Sequence, residues 1–140
     1  MVFEPAPEPE ISVEQVEQRS TDQPGEWIVT WRIENMTSGL LVVEAAWLPH
    51  GQFRGDRTDF DPAVTLNASE TTDLPLLVRC PQNVELVVEN AFLILTVRWR
   101  DQPWRILTRL TVRMEADGAP TATTETMTIQ PVGFSGVEAP

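Results

Sequence analysis

The sequence predicts an all-β domain, a two-sheet antiparallel sandwich of about seven to eight strands. Three observations carry that expectation. Apolar and polar residues alternate in segment after segment, the two-residue period of a strand with one buried face. Turns marked by Gly, Pro, Asn and Asp separate these segments at short intervals. No stretch shows the 3.6-residue apolar stripe of an amphipathic helix. Many short antiparallel strands bury their faces by packing two sheets together; a closed barrel is the alternative.

The strongest signal is the stretch from Ala91 to Met114, which reads as a β-hairpin. Ala91, Leu93, Leu95, Val97 and Trp99 fall on one face of its first arm, and Trp104, Ile106, Thr108, Leu110, Val112 and Met114 on the same face of its second. The turn is expected near Arg100-Asp101-Gln102-Pro103, because Pro fixes φ and Asp favours turns. A four-residue loop would set Trp99 opposite Trp104, Arg98 opposite Arg105, Ile94 opposite Arg109 and Asn90 opposite Arg113. Arg98, Arg105, Arg109 and Arg113 then share the other face, with Arg100 at the tip. These five are half of the ten basic residues, and the chain has no lysine. Asp101 is the only acid between Ala91 and Met114, so the hairpin carries +4 within a chain of net charge −11. Like charges directly across a strand pair are unfavourable. The arginines therefore need carboxylates, either from a neighbouring strand or from an acidic partner or second copy of the chain. Phe92, Ile94 and Leu107 lie on the same face, and apolar groups on the outside of a sheet point to a cover.

The remaining elements follow in order. Residues 1–10 are a Pro- and Glu-rich lead, expected to be extended and mobile. From Met1 to Glu17 there are five acids and no arginine, which makes this segment the nearest acidic candidate for the arginine face. Ile11, Val13 and Val16 indicate a short edge strand. Trp27, Val29, Trp31 and Ile33 alternate with polar residues after the turn at Gln23-Pro24-Gly25. Leu40 to Leu48 is apolar on both sides, as a covered central strand would be; Leu41, Val43, Ala45 and Trp47 share one of them. Residues 49–62, PHGQFRGDRTDFDP, read as a long polar loop. Ala63 to Leu66 and Thr72 to Cys80 are strands. Val84, Leu86 and Val88 keep even parity whereas the apolar set from Ala91 is odd, so a bulge or turn is required at Glu89-Asn90. A Thr-rich strand from Thr121 to Gln130 closes the domain, expected to span residues 11–134, with residues 135–140 as a tail. All five tryptophans fall on core-facing parity; Trp99 and Trp104, flanking the hairpin tip, are the most exposed of them by position.

Composition bounds the function. A chain of 140 residues is one domain by length, and 41% hydrophobic residues are enough for a core. Twenty-one acids against ten arginines argue against nucleic-acid binding, because most of the surface repels phosphate. One cysteine, Cys80, excludes an internal disulfide; its alternation with Leu74, Leu76 and Val78 places it in the core. No membrane span is long enough, and MVFEPAPEPE does not resemble a secretory signal, so the expected location is cytoplasmic.

Catalytic and metal patterns are sparse. His50 is the only histidine, and no G-x-S-x-G elbow accompanies it. One His and one Cys are too few for zinc. Asp56, Asp59 and Asp61 offer oxygen ligands for Ca²⁺ but without EF-hand spacing, and Arg54 and Arg57 dilute their charge. Asn35-Met36-Thr37 and Asn67-Ala68-Ser69 match the glycosylation pattern and read as turns. No cofactor is expected.

The strand run from Trp27 to Gln130, with WRIEN (Trp31 to Asn35) leading through a turn into an apolar strand, resembles the immunoglobulin-like or fibronectin-type sandwiches that recur as accessory modules in bacterial proteins. The resemblance implies a fold and no site. The functional expectation is a non-enzymatic protein-contact module, self-association included, that uses the arginine and apolar face. A ligand-binding module for carbohydrate or Ca²⁺, built on the 49–62 loop and the Trp99/Trp104 tip, is the alternative.

Overall fold

The computed structural model describes residues 7–82 and 85–132. Glu4, Val84, Phe134 and the tail lie outside the described residues. Eight strands make up the fold: β1 (Ile11–Ser20), β2 (Glu26–Asn35), β3 (Leu41–His50), β4 (Phe53–Leu66), β5 (Thr71–Arg79), β6 (Val87–Trp99), β7 (Gln102–Met114) and β8 (Pro120–Pro131). They are antiparallel and hydrogen-bonded in the order β1-β2-β5-β4-β3-β6-β7-β8, with no helix among the described residues.

The all-β expectation and the strand count hold. The two separate sheets do not: the strands form one nearly closed, barrel-like sheet. Its two weakest seams show how it closes. Between β4 and β5 a single residue pair, Arg54 opposite Arg79, joins the strands. Asp56 offsets that like-charge pair, 3.4 Å from Arg54 and 4.0 Å from Arg79. Gly55 lets the strands approach here, because a Cβ would stand 2.9 Å from the Leu77 carbonyl oxygen. Between β8 and β1 no ladder forms. Gln15 and Thr124 bridge the gap with side-chain hydrogen bonds to Pro120, Ala122 and Val13.

The interior is apolar and closely filled. Val29, Trp31 and Ile33 of β2, Leu41, Val43 and Leu48 of β3, Phe53 of β4, Leu93 and Leu95 of β6, and Ile106, Leu110 and Met114 of β7 are fully enclosed. Trp31 meets Phe53 edge-on at 6.2 Å between centroids, a favoured aromatic geometry. Asn35 is buried and fixes the end of β2: its Nδ2 donates to the Gly39 and Leu66 carbonyls, and its Oδ1 accepts the Thr37 N–H. Its glycosylation pattern is therefore a structural turn.

Three local expectations change. Residues 49–62 are not a loop. A two-residue turn at Gly51-Gln52 joins β3 to β4, which passes through two irregularities and keeps its polar side chains on the outside. Trp47 is not in the core. A bulge between Val43 and Ala45 flips the parity of β3, so Ala46 and Leu48 point inward and Trp47 outward. Residues 9–10 of the lead are held: Pro9 is buried, and the Glu10 N–H and C=O both bond the Thr37 hydroxyl. The break in parity before Ala91 is a bulge, with Asn90 at φ 58°, and β6 runs through it unbroken.

Candidate functional site

The hairpin of β6 and β7 turns through two residues rather than four. Arg100 and Asp101 both have positive φ, 54° and 58°, the two-residue I′ geometry that matches the twist of paired strands. The register therefore differs by two from the expected one: Val97 faces Trp104, Thr96 faces Arg105, Ile94 faces Leu107 and Phe92 faces Arg109. A shift of two preserves every residue's face. Arg98, Arg105, Arg109 and Arg113 thus share the outer face with Phe92, Ile94 and Leu107, opposite the buried Trp99 and Trp104. The shift also removes the direct Arg98–Arg105 opposition. Arg98 pairs with Pro103 across the strands and Arg105 with Thr96, which relieves the like-charge conflict.

The cross-strand registers organise this face into rows. Trp47 of β3, Ile94 of β6, Leu107 of β7 and Thr128 of β8 stand side by side, a half-buried apolar row that ends in a threonine. One row along, Ala45, Thr96, Arg105 and Gln130 align; on the other side Phe92, Arg109 and Thr126 do. The arginines are satisfied unequally. Arg98 Nε lies 3.3 Å from Glu44 Oε2 on β3, the neighbouring carboxylate that the charge pattern calls for. Arg109 donates to Asn90 Oδ1 at 3.2 Å. Arg100 lies over the Trp99 ring at 4.3 Å, and Arg57 of β4 over Trp47 at 5.0 Å, both cation–π contacts. Arg105 Nε and Thr96 Oγ1 are shielded from solvent and have no hydrogen-bond partner among the described residues. Shielded polar atoms without partners are uncommon and ask for an explanation. Glu8 and Glu10 line an open groove with Arg100 and Trp99 at the hairpin tip, without an ion pair to the arginine face among the described residues.

Sequence reasoning missed Trp47, Glu44, Thr96 and Arg57 as members of this surface. The charge of Glu44 inside the apolar run LVVEAAW was the available signal, since it marks the residue that bulges out. Trp99 and Trp104 are 4% and 7% exposed, so the tip presents no open aromatic platform. Asp56 and Asp59 face Arg54 and Arg57 at 3.4 and 2.9 Å, Asp61 is exposed, and no group of three or more potential metal ligands assembles among the described residues. The His50 Nδ1 accepts the Gln52 N–H at 3.0 Å, a turn contact. Burial pushes the Cys80 thiol up to about 11, which keeps it protonated and unreactive. On the opposite wall Arg32 holds Asp73 bidentately at 2.9 and 3.0 Å. That hydrogen bonding raises the guanidinium pKa and holds the carboxyl below the usual carboxylate range. Among the described residues no helix is long and apolar enough to cross a membrane.

No protein-family model and no curated protein sequence matches this chain.

Proposed function

We propose that this protein is a non-enzymatic module that works by protein–protein contact, through the outer face of β3, β6, β7 and β8. The observation that carries the reading is the row Trp47–Ile94–Leu107, half-buried and flanked by Arg98 and Arg105 on one side and Arg109 on the other. An apolar centre rimmed by arginine, with aromatic and Arg side chains enriched, is the anatomy of a contact surface. The exposed Arg109 and Arg113, without an ion pair among the described residues, support a partner that brings hydrogen-bonding groups, carboxylates foremost. The kinship with immunoglobulin-like or fibronectin-type modules belongs to this proposal. It is supported by the strand order, in which the first, second and fifth strands are neighbours and the third, sixth and seventh are neighbours, as in those sandwiches. A cytoplasmic location also belongs to it, supported by a single cysteine that leaves no internal disulfide.

The test is a panel of short peptides titrated against the protein, with tryptophan fluorescence as readout. Acidic-apolar peptides are expected to bind at least about tenfold more tightly than basic-apolar or acidic-polar ones, and Arg105→Glu/Arg109→Glu to abolish the difference. Equal or absent binding by all three classes rejects the reading.

A further inference from the structure

We infer that the occupant of the arginine face is a second copy of this chain, docked by its acidic β1 strand in a head-to-tail contact. The inference rests on the contact reading above and goes further by naming the partner.

Charge excludes the symmetric alternative. Two-fold pairing of this face with itself would press Arg98, Arg105, Arg109 and Arg113 of one copy against the same residues of another, and like charges across an interface oppose association. A second copy can dock only with a different, acidic surface; made once per pair this contact is head-to-tail and grows, whereas made reciprocally it closes a two-fold dimer that stops at two copies.

β1 offers that surface. β1 carries Glu14 and Glu17, the residues leading into it carry Glu8 and Glu10, and all four are exposed; Arg19, also exposed, stands at the far end of the strand. None of them is within ion-pair distance of an arginine among the described residues. Glu14 sits opposite Arg32, but that guanidinium is already held by both oxygens of Asp73. A bulge between Gln15 and Glu17 turns Val16 outward, 38% exposed, between the two carboxylates. β1 therefore presents an apolar side chain flanked by acids, the counterpart of an apolar row flanked by arginines. β8 separates β1 from β7 around the barrel, so one copy presents both surfaces at once.

The contact is small: β1, one strand of 10 residues, covers roughly 160 Å² of a face of roughly 600 Å² at ~4.8 Å strand spacing and ~3.3 Å per residue, which puts it among weak, transient contacts below the ~800 Å² per partner of a standard interface. The net charge of −11 opposes association at long range, but at about 0.15 M salt screening confines electrostatics to ~8 Å, where the local complement acts.

A heterologous contact has a signature that a symmetric one lacks. Neutralisation of the basic face alone (Arg109→Gln/Arg113→Gln, both exposed) and of the acidic strand alone (Glu14→Gln/Glu17→Gln) each removes one surface and leaves the other. Light scattering after size exclusion at about 0.15 M salt, over a protein concentration series, is expected to show wild-type oligomers that grow with concentration. Each variant, folded by its circular dichroism, is expected to be monomeric, and their equimolar mixture to form a 1:1 dimer. A wild-type chain that stops at a dimer, or wild-type oligomers together with an inert mixture, overturns the head-to-tail geometry. A wild-type chain that stays monomeric overturns the second copy as occupant; the contact reading then stands or falls on the peptide panel alone.

Discussion

The side-chain amide of Gln15 takes the place of a peptide group opposite Ala122. Its Oε1 accepts the Ala122 N–H at 2.7 Å, and its Nε2 donates to the adjacent Pro120 carbonyl at 2.9 Å. β1 and β8 are thereby linked where no ladder joins them. Gln15→Leu leaves that N–H and C=O without partners, which costs about 1–3 kcal/mol when such groups are shielded. Urea unfolding monitored by tryptophan fluorescence measures the loss. A variant within about 0.5 kcal/mol of wild type means the seam closes without Gln15.

The hairpin tip holds two non-glycine residues at positive φ, Arg100 and Asp101. Left-handed backbone costs an ordinary L-residue about 1–2 kcal/mol, and Asn-Gly is the pair that adopts this turn most readily. Against that gain stands the Arg100 stacking on Trp99, worth about 0.5–1 kcal/mol at an exposed site. The double change Arg100→Asn/Asp101→Gly is expected to stabilise the protein by about 1 kcal/mol, read from the denaturation midpoint. A net loss shows that the stacking outweighs the backbone.

Acid should reveal the Arg32–Asp73 pair. The carboxyl is held below its ordinary range by the hydrogen bonds from Arg32, so folding favours its ionised form. The contribution is fully present above the ordinary carboxylate pKa and disappears as pH falls through the lowered native value. A carboxyl-detected NMR titration is expected to place the Asp73 transition below the ordinary range in wild type and back within it in Arg32→Gln. Identical transitions in the two proteins dismiss the pairing in solution. Since both side chains are about half exposed, Asp73→Asn should change stability at neutral pH only slightly.

Cys80 offers a check on the core. Its thiol is raised to about 11 by burial and stands 9% exposed at the end of β5. Labelling with a thiol reagent near neutral pH should be slow in the native protein and fast in denaturant, because only the thiolate reacts. Rapid native labelling contradicts the packing around β5.

Residue chemistry and the two-residue period alone determined the all-β class, the hairpin from Ala91 to Met114, the break in parity at Glu89-Asn90 and the grouping of Arg98, Arg105, Arg109 and Arg113 on one outer face. Side-chain alternation is local, so a register that is off by two, as at the Arg100-Asp101 turn, still puts each arginine on the correct side. Whatever depends on non-local pairing lay beyond it. The bulge at Glu44 that turns Trp47 outward forms only when β3 pairs with β6, and residues 53–66 become a strand because β3 supplies a partner. The joining of eight strands into one barrel-like sheet rests on Arg54 opposite Arg79 and on Gln15 reaching β8, contacts between segments far apart in the chain. Only the tertiary structure decides these, because hydrogen-bond partners across a sheet are chosen by what packs on both of its faces and not by the order of side chains along one strand.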